Sequence, residues 1–195
     1  MKTDIILAGV GGQGVLSMAA IIAKAAVTET LSVRQSEVHG MAQRGGAVVA
    51  HLRIAEKRIF SDLVPQGEAD LIIAMEPLES LRYASWLSPA GVLVSAAEPW
   101  VNIPDYPELD RLYEAIAAFP RYRLAPAARL AQEAGLAKAV NMVMVGAASP
   151  FLPVSVETLE QTISALFASG EPPLREANLR AFRLGRGTGT KGGPQ

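Results

Sequence analysis

Two short stretches of the 195-residue chain carry residue types and spacings that could do chemistry. The first is Gly9-Val10-Gly11-Gly12-Gln13-Gly14, which follows the apolar run Ile5-Ile6-Leu7-Ala8 and opens into Val15-Leu16-Ser17-Met18. Glycines at 9, 11 and 14 allow a tight turn and a close approach of backbone to ligand. The helix that follows starts with N–H groups that have no intrahelical acceptor, and the helix dipole makes that end an anion site. Ser17, one turn into the helix, adds a hydroxyl. A strand before and a helix after is the context that the dinucleotide-binding fingerprint requires. The expected cofactor-headgroup contacts are Gly9, Gly11, Gly12, Gln13, Gly14 and Ser17; the competing reading is a turn that needs glycine for steric reasons alone. Adenine-dinucleotide binding would also want a carboxylate ~20 residues beyond the motif, at the tip of the second strand. Glu29 comes before that strand and Glu37 late after it, which counts against an autonomous NAD site.

The second stretch is Ser36-Glu37-Val38-His39-Gly40-Met41-Ala42-Gln43-Arg44-Gly45-Gly46, too polar and glycine-rich for an ordinary connection. It places an imidazole (His39), an amide (Gln43) and a guanidinium (Arg44) in a loop freed by Gly40, Gly45 and Gly46. Arg44 can fork onto a carboxylate or phosphate; the plainer reading is that these side chains cap backbone groups. No catalytic set can be assembled: the chain has no GxSxG, no cysteine, and no paired carboxylates at helical spacing near the glycine loop. His51, in strand alternation beside Arg53, reads as a face residue, and two histidines so differently placed do not make a metal site. Asn141, in an otherwise apolar helix, reads as a structural hydrogen-bonding group rather than a ligand contact.

The elements that must position these residues follow from periodicity and punctuation. Strands are expected at 3–9, 31–36, 47–54, 70–75 and 91–94, and helices at 13–29, 77–87, 109–118, 126–135 and 137–148. Ser155 reads as the N-cap of a helix reaching about 168. Pro172-Pro173 precede a last helix with Gly185 as its C′ residue. Residues 37–46 and the proline-rich 97–108 are expected loops. No helix separates the strands at 31–36 and 47–54, so some antiparallel pairing is expected. The result is an α/β fold: a three-layer Rossmann-like single domain, residues 1–185, with a mixed, mainly parallel sheet and a flexible tail, 186–195. The first helix has almost no polar face, so it must be covered within the domain or on one side by a partner.

Composition narrows the function. Half of the residues are hydrophobic and 19% are charged, which is apolar for a soluble protein and points to a partner interface. Zero cysteines exclude disulfides and cysteine-ligated iron–sulfur clusters within the chain. No apolar run approaches the ~20 residues of a membrane span, and the start of the chain is not a signal sequence, so a cytoplasmic, non-membrane protein is expected. The net charge of −1 divides into basic ends and an acidic middle, with seven Lys/Arg against four Asp/Glu over 1–60 and six against thirteen over 61–170. Nothing resembles a nucleic-acid footprint.

The two glycine-bearing stretches, together with Asn141-Met142-Val143-Met144-Val145-Gly146-Ala147 and Phe151-Leu152-Pro153, resemble the gamma-type module of the 2-oxoacid:ferredoxin oxidoreductases, and within that family the beta subunit of the indolepyruvate type. The likeness covers nearly the whole chain. It implies a cluster-free subunit of an enzyme that oxidatively decarboxylates an aryl 2-oxoacid such as indolepyruvate to its coenzyme A thioester and passes electrons to ferredoxin. Thiamine diphosphate and 4Fe-4S clusters would belong to a large (alpha) partner subunit, coenzyme A would be a co-substrate, and this chain alone would hold no cofactor and be inactive. The loop carrying His39, Gln43, Arg44, Gly45 and Gly46 would face the partner or its active site. Left open are a gamma subunit for pyruvate, 2-oxoglutarate or branched-chain 2-oxoacids, a stand-alone nucleotide-binding module, and a homodimer when the chain is isolated.

Overall fold

The computed structural model describes residues 1–39, 45–168 and 172–189. Among them, apolar runs flanked by glycine or turns form six strands in the order β2-β3-β1-β4-β5-β6. The central strand β1 (Lys2–Val10) runs parallel to β4 (Ala69–Ala74), followed by β5 (Leu87–Ala96) and β6 (Tyr122–Ala125). On its other side it pairs antiparallel with β3 (Ala47–Ala55), which pairs antiparallel with β2 (Ser32–His39) at the sheet's edge. The mixed sheet is the one expected from two successive strands without a helix between them.

Strand alternation sends side chains to two cores, which is what makes three layers. Ile5, Leu7, Leu71, Ile73 and Val94 meet α1 (Val15–Thr28), α4 (Ala127–Glu133), α5 (Val140–Ala148), α6 (Val156–Leu166) and α7 (Pro172–Arg186). Ile6, Ile72 and Leu93 face the other way, toward Leu81 of α2 (Pro77–Arg82) and Ile116 of α3 (Leu109–Ala117). The amino end of the sheet is fixed by fully buried Asp4, which accepts from Arg53 Nε at 2.8 Å, Arg53 Nη2 at 3.1 Å and Lys2 Nζ at 2.7 Å. Helix α1 buries Met18, Ala19, Ile22 and Ala26 and leaves Leu16, Ala20 and Val27 exposed along the opposite side. The chain itself therefore covers this helix on one side only.

The structure differs from the expectations at four places. Strand β2 continues through Glu37, Val38 and His39 because β3 offers them a register, His39 opposite Val48, so the expected 37–46 loop starts three residues later. The helix expected over 77–87 stops at Arg82, and after a 3-10 turn at Ala84–Trp86 the chain enters β5 at Leu87. Strand β6 was not expected at all: four residues with an arginine give no periodic signal, and pairing with β5 alone makes it a strand. Gly185 is inside α7 rather than past its end. A Cβ there would collide with the Val143 carbonyl, as one on Gly146 would with that of Phe182, so these glycines let α5 and α7 pack backbone to backbone. Ser155 caps α6 as expected, accepting from Thr158 N at 3.2 Å. The end of the tail, 190–195, lies outside the described residues. No described helix is long and apolar enough to cross a membrane.

Candidate functional site

The glycine loop sits between the end of β1 and the start of α1, and its own side chains and backbone lock it. Gln13 Oε1 accepts from Val10 N at 2.7 Å, Gln13 N donates to the Val10 carbonyl at 3.0 Å, and Gln13 Nε2 reaches the Met75 carbonyl at 3.4 Å. Gln13 thus ties the end of β1 to the end of β4. Gly9 is required by packing, since a Cβ there would lie 2.8 Å from Val15 Cγ2 and 2.9 Å from Met75 Cβ. Gly12 and Gly14 have φ of 101° and 86°, a left-handed backbone that favours glycine. Gly14 caps α1 with no side chain of its own, and the first intrahelical bond is Met18 N to the Gly14 carbonyl at 3.1 Å. The N–H groups of Val15, Leu16 and Ser17 are thereby left to whatever lies beyond the helix start. Ser17 is exposed at that first turn.

The second stretch meets the first. Gly11 N donates to the Gly46 carbonyl at 2.8 Å, continuing the β1–β3 ladder past Val10 and Ala47. Gly45, with φ of 78°, accepts at its carbonyl from Asn102 Nδ2 at 2.9 Å, so the 97–108 loop joins the same corner. Gly40, Gln43 and Arg44 lie outside the described residues, and His39 is placed only by its backbone, as the last residue of β2.

A pocket of about 530 Å³ opens where these segments converge, lined by Gly12, Gln13, Met75, Glu98, Trp100 and Lys138 among others. Its position follows from topology. Helix α1 leaves β1 toward one face of the sheet and α2 leaves neighbouring β4 toward the other, and such a switch point opens a crevice at the carboxyl ends of the strands. Lys138 and Trp100 are exposed at the rim. The Glu98 carboxylate accepts from Ala127 N at 3.0 Å and Ala128 N at 3.1 Å at the start of α4. Asn141 stands beside Gly14, its Nδ2 2.9 Å from where a Gly14 Cβ would be, while its Oδ1 accepts from Met142 N at 3.0 Å. Trp100, Lys138 and Glu98 carried no spacing signal in the sequence; only the fold brings them to the glycine loop.

The wall behind the pocket is held by buried carboxylates. Glu76, directly after Met75, accepts from Leu78 N at 3.1 Å, from Glu79 N and from the Tyr106 hydroxyl. Burial, then the bond to Glu76, raises the Tyr106 hydroxyl pKa, so it stays a donor and straps the 97–108 loop to α2. Burial also raises the Glu79 carboxyl, one oxygen of which has no hydrogen-bond partner. His51 is buried on β3, and its Nδ1 accepts from Val64 N at 3.1 Å; burial, then Arg53, lowers its pKa and keeps it neutral. It is a face residue, as its strand alternation indicates.

Residues 4–188 match the pyruvate ferredoxin/flavodoxin oxidoreductase family. The indolepyruvate oxidoreductase subunit IorB of Thermococcus kodakarensis is 36% identical over 192 residues, covering 93% of each chain. Pyruvate oxidoreductase subunit PORC of Thermotoga maritima shares the fold with a TM-score of 0.74 at 22% identity, covering 97% of both chains. A 2-oxoglutarate:ferredoxin oxidoreductase from Magnetococcus marinus, solved with 2-oxoglutarate, coenzyme A and succinyl-CoA bound, also has a TM-score of 0.74 at 22% identity, with 95% of this chain matched to 30% of that one. A glycine turn at the switch point of this strand order, in a sequence matched from Asp4 to Thr188, makes the chain a member of the pyruvate ferredoxin/flavodoxin oxidoreductase family.

Proposed function

We propose that the chain is the cluster-free subunit of an indolepyruvate-type 2-oxoacid:ferredoxin oxidoreductase, in which a large partner subunit holds thiamine diphosphate and the 4Fe-4S clusters. The similarity to IorB along nearly the whole chain supports the substrate class. One structural observation carries the role: the glycine loop, tied to the 45–46 turn by the Gly11–Gly46 hydrogen bond, lines with Gly12 and Gln13 a pocket that the chain leaves open. The pocket is lined by Gly12 and Gln13 of the loop that opens α1, by Lys138 and by Trp100, and the Asn141 amide stands beside Gly14 next to that lining. Such a set suits a phosphorylated, aromatic co-substrate, and coenzyme A is the one the reaction consumes. The difficult chemistry belongs to the cofactors of the partner; this chain positions and supplies electrostatics. In this reading His39, Gln43 and Arg44 extend toward the partner's active site, and the exposed Leu16, Ala20 and Val27 side of α1 is available to the partner.

Co-expression with the large subunit, followed by oxoacid- and coenzyme-A-dependent reduction of a viologen dye, tests the proposal. Activity should require both chains and be strongest with arylpyruvates. Preference for pyruvate or 2-oxoglutarate would reassign the substrate class within the family. Micromolar binding of NAD or a flavin by this chain alone, without partner-dependent activity, would overturn the subunit role. Arg44→Ala in an assembled complex should raise the apparent KM for coenzyme A or oxoacid; unchanged kinetics would remove Arg44 from the site.

A further inference from the structure

The sheet ends on one side in β2, whose eight residues keep unbroken register with β3 from Ser32 opposite Ala55 to His39 opposite Val48. Among the described residues no backbone hydrogen bond joins 32–39 to anything except β3. The opposite edge, β6, has only four residues. Proteins commonly blunt a long open edge with proline, a bulge or a cover, because its free N–H and C=O groups invite another strand. Strand β2 has no proline, glycine or bulge, and Val38 on it is 57% exposed.

We propose that β2 pairs antiparallel with β2 of a second copy of this chain, about a two-fold axis through Ser36, so that the two sheets continue into one. The sequence Ser32-Val33-Arg34-Gln35-Ser36-Glu37-Val38-His39 favours this register over axes through Arg34, Gln35 or Glu37. A two-fold axis normal to the sheet sets each residue opposite one of the same face. An axis through Arg34 or Glu37 puts like charges directly opposite, which destabilises a pair. An axis through Gln35 sets Glu37 against Val33 of the other copy, leaving its carboxylate without a partner. With Ser36 on the axis, the Gln35 amide faces the Glu37 carboxylate of the other copy, twice by symmetry. The Arg34 stem covers Val38 of the other copy, while the Arg34 head keeps its ion pair with Asp62 at 3.7 Å. The axis also places the end of β2, from which the chain passes into the 40–46 segment, opposite Val33 of the second copy.

The chain has no cysteine, so Ser36→Cys carries a single thiol. Directly opposed residues have Cβ atoms about 4.5–5.5 Å apart, within a small adjustment of the ~3.5–4.5 Å of a disulfide. On mild oxidation the full-length variant should form a disulfide-linked dimer about tenfold faster than Glu157→Cys, an exposed control at the start of α6. Gln35→Cys should resemble the control. Light scattering should show the parent chain as a dimer at micromolar concentration and Ser36→Lys, which opposes two ammonium groups, as a monomer with an unchanged circular dichroism spectrum. Cross-linking of Ser36→Cys at the control rate, a monomeric parent chain, or fastest cross-linking by Gln35→Cys would each overturn the proposed pairing.

Discussion

Two glycines of the same backbone hand separate the cost of conformation from the cost of contact at the glycine loop. Gly14 and Gly135 have φ of 86° and 87°. A Cβ on Gly135, just past the end of α4, meets nothing within 4 Å, whereas one on Gly14 stands 2.9 Å from Asn141 Nδ2. Placing an L-residue in the left-handed region costs about 1–2 kcal/mol, so Gly135→Ala should show that cost alone. At about 2–4 °C per kcal/mol for a domain of this size, Tm falls by roughly 2–8 °C. Gly14→Ala incurs the same cost and must also turn the Asn141 amide away, with loss of its 3.0 Å bond to Met142 N. A lost hydrogen bond adds about 1 kcal/mol, for a total near 2–3 kcal/mol. Urea denaturation of the two variants reads the difference. In the assembled enzyme, Gly14→Ala should also raise the KM for coenzyme A, because the added methyl sits at the open end of α1, while Gly135→Ala should leave KM unchanged. Equal destabilisation and equal KM in both variants would refute the idea that Asn141 and the helix start act together on a ligand.

Three other expectations follow from buried charge. Asp4→Ala leaves Arg53 and Lys2 without their shared carboxylate, and stability should fall by about 3–5 kcal/mol in urea denaturation; a loss below about 1 kcal/mol would mean that solvent reaches the site. His51 has a folded pKa below its ordinary value because of burial, so its contribution is fully present above the unfolded pKa of about 6.5 and is lost as pH falls toward the folded value. His51→Gln should flatten the fall in Tm between pH 7 and 5, and an unchanged slope would assign that fall to other groups. Glu79 is shifted the opposite way, so its penalty is absent below the ordinary carboxyl range and grows as pH rises through it. Glu79→Gln should therefore stabilise the protein at pH 7 and not at pH 4, and equal effects at the two pH values would count against burial as the cause.

The fold was legible wherever one local signal sufficed. An apolar run into glycines marked β1 and α1, and the missing helix before residue 47 pointed to some antiparallel pairing, which β3 makes with β2 and, as only the structure shows, with β1 as well. What escaped depends on distant partners. β6 is a strand only because β5 is beside it, and Gly185 resembles a helix end until Val143 of α5 is seen pressed against it. The same holds at the site. Gly12 and Gly14 announce their backbone in the sequence, but Trp100 reaches the loop from the 97–108 segment and Lys138 and Asn141 from around the start of α5, and no spacing rule connects them to it. Arg44, the strongest charged candidate in the sequence, lies outside the described residues, so its role rests on the kinetic test.

We propose that strand order keeps this dinucleotide-type glycine turn from forming a dinucleotide site. In the Rossmann arrangement the strand after the first helix lies beside the first strand, and a carboxylate at its tip reaches the ribose hydroxyls. In this chain β3 is inserted between β1 and β2, so β2 lies two strand spacings of about 4.8 Å each from β1 instead of one. The place beside the glycine loop is taken by Gly45 and Gly46, bound to it through the Gly11 N–H. The α1 end can still meet a phosphate, but the side where a dinucleotide's ribose would be held is occupied by the Gly45-Gly46 backbone instead of a strand tip with a carboxylate. A ligand gripped at one end by this chain needs its other end held elsewhere. Titration of NAD into the isolated chain should accordingly give no micromolar binding, while coenzyme A should bind more tightly to the assembled complex than to this chain; equal affinity for the two forms would mean that the chain completes the site alone.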